Sequence, residues 1–257
     1  MNDPHIEALH YSVRHADYVD YDNAGPLSHD TPGFTVRIEN GRAEITMKSH
    51  YATVEAARSE VEPFLRGWEL MAALRSRPGE FEFAYDRPTI VDRNPLAGAD
   101  TDPVRLTIDH PLLGETSRPH AANSKYPDPP AVAFGRDAAV DLMFDRFRRY
   151  RAGNSTLPDA ANFCLTTLEL SSGGRKAAAA RYGVVAMPIL NKLGELAANK
   201  GGNEARKASG AEAAFSAAER QWLDEAMNRV IYRAAEIAGG PSANLPQITM
   251  ADLPSLP

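Results

Sequence analysis

With 257 residues the chain is long enough for one large domain or two small ones, with a core that needs no disulfide or metal staple. Hydrophobic residues make up 43% and charged residues 24%, which excludes wholesale disorder and a fibrous fold. Twenty-eight basic against thirty-four acidic side chains leave a formal charge of -6, which argues against a protein built mainly to coat nucleic acid.

Residues 1–30 carry scattered His, Asp and Tyr without a sustained period and read as an irregular or packed N-terminal extension. From Phe34 the pattern sharpens. Phe34, Val36 and Ile38 alternate with polar residues, Asn40-Gly41 follows, and Ala43, Ile45 and Met47 alternate again. Asn-Gly between alternating runs signals a two-residue hairpin turn, and that loop length pairs Ile38 with Ala43, Val36 with Ile45 and Phe34 with Met47. All three apolar pairs then share one face, while Arg37 and Glu44 meet on the other.

Thr53 is a suitable N-cap for a helix burying Ala57, Val61, Leu65, Trp68 and Met71, with a kink or break expected at Pro63. Phe81, Phe83 and Tyr85 alternate as a third strand ending at Asp86-Arg87-Pro88, and Val104, Leu106 and Ile108 as a fourth. These elements make residues 31–110 a small α+β domain with an antiparallel sheet and a packed helix. Residues 111–135 are Pro-rich and aperiodic and read as a connector.

The period then changes. Val140, Met143, Phe144 and Phe147 suit one helix, and Ala161, Cys164, Leu165 and Leu168 suit a second. A third runs from Arg175 to about Lys200, bent or interrupted near Pro188. A fourth starts at the Ser216/Glu219 capping box and stops at Gly239-Gly240-Pro241. Four amphipathic helices bury their stripes most economically as a bundle over residues 136–240, and the apolar tail, 241–257, is expected to dock back. The two parts differ in charge: residues 1–135 sum to -8 and residues 136–257 to +2, so an anionic partner suits the helical part better.

Cys164 is the only cysteine, which rules out an internal disulfide and zinc sites of paired cysteines; its place on an apolar stripe reads as core packing. Neither a secretory segment nor a membrane-length apolar run is evident, so the expectation is cytoplasmic, without a membrane partner. No Gly-rich phosphate loop, dinucleotide fingerprint or His-Glu-x-x-His pair occurs. His5, His10 and His15 recur every five residues, which does not stack them on one helical face. Asp17, Asp20, Asp22 and Asp30 lack a calcium-loop register. No metal or cofactor is expected.

Arg149-Tyr150-Arg151, Phe163-Cys164-Leu165-Thr166 with Leu168-Glu169, Ala205-Arg206-Lys207, and Trp222 to Glu236 resemble a bacterial protein family with a HEPN-like C-terminal helical domain, over roughly residues 137–240. The resemblance implies a four-helix bundle that pairs two copies. HEPN ribonucleases use an Arg-x(4-6)-His motif on the final helix; here Arg229 and Arg233 stand one turn apart with no histidine after them, and all seven histidines precede the bundle. The departure removes the cleaving group and leaves pairing, with weak RNA or nucleotide binding, as what the resemblance implies.

Arg146, Arg148, Arg149 and Arg151 form the densest basic cluster, and the i,i+3 pairs among them could clamp phosphate oxygens; with Arg229 and Arg233 they are the candidate anion or RNA contacts. Asp109 and His110 are the alternative acid/base candidates, against a plainer role at a strand end or turn. No complete catalytic constellation is found. The leading expectation is a non-enzymatic binding or interaction protein forming a homo-oligomer. The alternatives are an RNA- or nucleotide-directed hydrolase in a defence or stress setting, and a small-molecule sensor with an apolar concavity between Trp68 and the Phe81–Phe83–Tyr85 strand.

Overall fold

The structure, a computed structural model, describes residues 3–94, 121–131, 134–182, 186–205, 214–240 and 245–256, with the backbone alone at 121–122. It is a mixed α+β chain that divides into two compact units, Met1–Ala131 and Val132–Pro257. The expected fourth strand at Val104 to Ile108 lies outside the described residues.

The first unit is built on a five-stranded antiparallel sheet. Its strands are β1 (Pro4–Arg14), β3 (Leu27–Asp30), β4 (Phe34–Glu39), β5 (Arg42–Met47) and β6 (Glu82–Asp92), in the order β3-β4-β5-β1-β6. A separate parallel pair joins β2 (Val19–Asp20) to β7 (Ala121–Ala122). The β4–β5 hairpin has the expected register, with Asn40 at φ 51° and Gly41 at φ 69°, the left-handed pair that a type I′ turn requires. Phe34, Val36, Ile38, Ala43, Ile45 and Met47 are all buried on one face.

Residues 1–30 differ from the expected irregular extension, because β1 lies between β5 and β6 near the middle of the sheet. Its pairing with β6 slips between Ile6 and Ala8 and again between His10 and Tyr11. Such irregularities break a strict two-residue period, so Ile6 and Leu9, three apart, are both buried.

Helix α1 (Val54–Arg75) starts at Thr53, whose hydroxyl accepts the Ala56 N–H. It runs through Pro63 as one helix, without the break that the sequence allowed there. Pro63 is exposed, as is Ser59 one turn before it, so the carbonyl freed by the missing N–H lies on the solvated side. Val61, Leu65 and Trp68 meanwhile hold the opposite side in the core.

β6 also continues through Arg87-Pro88 instead of stopping there. It is an edge strand, where a residue without an N–H is tolerated. Residues 123–131, from the stretch expected as a surface connector, close the core of this unit: buried Tyr126 stacks on Tyr21 and its hydroxyl accepts the Gly41 N–H.

The second unit is helical: α2 (Ala138–Arg151), α3 (Leu157–Ser172), α4 (Arg175–Arg181), α5 (Met187–Asn199) and α6 (Ala217–Ala238). The expected third helix is two, α4 and α5, with Pro188 in the first turn of α5. α3 is the hub, packing on α2, α4, α5 and α6. The Ser216/Glu219 capping box is formed in both directions. Gly135 lies so close to the carbonyl end of α6 that a Cβ would collide with the Ala238 backbone. The tail returns onto this unit, burying Ile248 and Leu253.

Candidate functional site

The register of the sheet assembles a polar surface on the side opposite the buried residues. Arg37 pairs with Glu44, Glu44 with His10 and His10 with Arg87, so one row crosses four strands. The adjacent row is Thr35, Thr46, Ala8 and Thr89. Neighbouring strands lie about 4.8 Å apart, so β5 and β6, on either side of β1, stand about 9.6 Å apart.

Between them lies a cavity of about 400 Å³ lined by Glu7, Ala8 and His10 of β1, Glu44 and Thr46 of β5, and Arg87 and Thr89 of β6. Ala8 explains its depth. A methyl group flanked by two threonines leaves a hollow where a longer side chain would stand level with its neighbours. The irregularity between Ile6 and Ala8 turns Glu7 to the same cavity. His10 Nε2 lies 2.8 Å from Thr89 Oγ1, a hydrogen bond whose donor is set by the imidazole tautomer. Thr89 is buried and His10 half-buried, whereas Glu44 and Thr46 are exposed on the far wall.

The site therefore has Glu44 and Thr46 on the β5 side, Arg87 and Thr89 on the β6 side, and Glu7, Ala8 and His10 of β1 between them. Opposed charges and hydroxyls in one concavity suit recognition of a small polar molecule. Sequence reasoning missed it because β1 was not legible as a strand. The later pairing of Glu44, His10 and Arg87 depends on that strand.

The six arginines singled out from the sequence all lie in the helical unit. Arg146 reaches Asp159 at 3.1 Å and stacks over Phe163. Arg149 pairs with Asp145 at 3.0 Å, and Arg151 with Asp224 at 3.0 Å. Arg229 pairs with Glu225 at 2.7 Å. Arg233 is buried, its Nη1 donating to the Pro246 carbonyl at 2.8 Å and its Nε 2.7 Å from Glu236 Oε2. Arg148 lies on the exposed side of α2. The expected Arg146/Arg149 clamp is thus divided between Asp159 and Asp145. Asp109 and His110 lie outside the described residues.

Cys164 is buried at the Met143 carbonyl, and burial pushes its thiol pKa up to about 12, so it is a packing group and not a thiolate nucleophile. The concavity expected for a sensor is filled: the Trp68 ring centre lies 5.5 Å from that of Phe81 and 5.4 Å from that of Phe83, and the indole N–H donates to the Pro127 carbonyl.

The three evenly spaced histidines are separated by the fold. His5 is buried and stacks on His50, His10 enters the sheet cavity, and His15 meets Tyr21 edge-on. Among the described residues no three His, Cys, Asp or Glu side chains are grouped to hold a metal ion, and no helix is long and apolar enough to cross a membrane. Compared with protein-family models, curated proteins and solved structures, the chain has no match in any of the three.

Proposed function

We propose that this is a binding protein and not an enzyme: the α+β unit recognises a small polar ligand in the concavity on its sheet, and the helical unit, read as HEPN-like, pairs two copies. The observation that carries the reading is the convergence of Glu7, His10, Glu44, Arg87 and two threonines on one cavity across three strands. The chemistry in the helical unit supports the same reading. Arg146, Arg151 and Arg233 neutralise intramolecular carboxylates, and Cys164 is desolvated. For pairing, α2 and α3 leave Leu142 and Leu170 exposed, and a second copy would shield them.

A ligand-observed NMR screen of the purified chain against mixtures of small polar metabolites tests the recognition half. The account expects saturation transfer to at least one compound, reduced in Arg87→Gln. Absence of transfer from folded protein to every compound contradicts it. RNA oligonucleotides incubated with the same preparation are expected to stay intact, and cleavage that persists in a repurified sample would favour the hydrolase.

A further inference from the structure

The polarity of the cavity narrows the ligand class. On the β5 side Glu44 presents a carboxylate beside the Thr46 hydroxyl, and Glu7 of β1, between the two walls, adds a second carboxylate to the lining. On the β6 side Arg87, whose Nη1 also lies 3.9 Å from Asp86 Oδ2, presents a guanidinium beside the Thr89 hydroxyl, with the His10 imidazole hydrogen-bonded to that threonine. A purely anionic ligand would meet two carboxylates, and a purely cationic one would meet the guanidinium. A molecule carrying both charges a few ångströms apart satisfies both walls.

The dimensions agree. The two walls rise from strands about 9.6 Å apart, and Glu44 and Arg87 both line the cavity between them. At about 400 Å³ the cavity is near the small end of ligand pockets, which run from roughly 300 to 1,000 Å³. The Ala8 methyl provides a patch of apolar floor.

We infer that the sheet cavity binds a free α-amino acid, its ammonium held by Glu44 and Glu7 and its carboxylate by Arg87. This deepens the reading of the concavity as a recognition site and rests on it. The Arg87 guanidinium supplies paired N–H donors in the plane a carboxylate requires, which a lysine would not. The threonine hydroxyls serve either end, because each both donates and accepts.

The test is isothermal titration calorimetry of the full chain with each of the twenty proteinogenic L-amino acids. At least one is expected to give saturable heat. Its N-acetyl and C-amide derivatives, each lacking one charge, should bind about tenfold or more weakly, the scale of one lost charge-assisted hydrogen bond. Glu44→Gln and Arg87→Gln should each weaken the free amino acid by a similar factor. Ala8→Leu, which fills the floor, should abolish saturation. Circular dichroism and melting temperature establish that each variant is folded, and Glu44→Gln, at an exposed position, keeps the test available if Ala8→Leu does not fold.

Absence of saturable heat with all twenty, or equal binding of the blocked derivatives, overturns the inference. If sugars or dicarboxylates bind there and amino acids do not, the inference fails while the concavity stands as a recognition site. If no small polar metabolite binds, both fail.

Discussion

The carboxylate of Glu69, buried on α1, accepts the backbone N–H of Phe83 at 2.7 Å. β6 is an edge strand, and this side chain satisfies a donor on it while tying the helix to the sheet. Arg66 Nη1 donates to both carboxylate oxygens, at 3.0 and 2.9 Å. Burial nevertheless raises the Glu69 pKa, against the lowering effect of the Phe83 and Arg66 hydrogen bonds. Glu69→Leu leaves the Phe83 N–H buried without its acceptor and should destabilise the protein by about 1–3 kcal/mol in urea unfolding. Arg66→Ala, at a half-exposed guanidinium, should cost less.

Arg233 and Glu236 form a pair beneath the returning tail, and Arg233 also holds the Pro246 carbonyl. Arg233→Met leaves a buried carboxylate without its partner and should destabilise the chain by roughly 3–5 kcal/mol. The double variant Arg233→Met/Glu236→Leu should recover part of that loss. Chemical denaturation measures both, and faster proteolysis within residues 245–256 of the single variant would report release of the tail.

His5 should make stability depend on pH. Burial and the nearby Arg93 and His50 lower its pKa, outweighing Glu7 and Asp3, and its Nδ1 faces the Tyr51 N–H at 3.5 Å. In the unfolded chain the ring takes up a proton near pH 6.5. The unfolded state therefore binds more protons below that value, and stability falls as pH drops from about 6.5 toward the lowered folded-state pKa. His5→Gln should flatten this part of a pH–stability profile measured by urea titration. An unchanged slope would place the dependence elsewhere.

Cys164 should resist thiol reagents in the native protein and react fully in guanidinium, since its sulfur is enclosed and its thiolate disfavoured. Rapid native labelling would contradict the packing described for α2 against α3.

Pairing of the helical unit has its own measurement. Light scattering after size exclusion should give a mass near twice 28.0 kDa at high concentration, shifted toward the monomer by Leu170→Glu. A monomer at all concentrations would remove pairing from the account.

Much of the architecture was legible wherever one local rule dominated. Asn40-Gly41 set the hairpin and its register, Thr53 and Ser216 set helix starts, and the change from a two-residue to a helical period separated the two units. The misreadings have tertiary causes. β1 hides its period behind two register irregularities, Pro63 is accommodated on a solvated helix face, and Pro88 on a sheet edge. The arginines drew notice by density along the chain, but density does not reveal that Asp159, Asp145 and Asp224 meet three of them. The sheet cavity is the converse. Its residues are spread from Glu7 to Thr89, and only the pairing of three strands brings them together.

The most direct test of the account is a protein-observed NMR titration, following backbone amides across the first unit as the hits of the metabolite screen are added. The account predicts saturable shifts at Ala8, His10, Glu44, Thr46, Arg87 and Thr89, with the helical core around Cys164 unmoved. Shifts centred on Arg146 to Arg151 or Arg229 to Arg233, with the sheet silent, would contradict it.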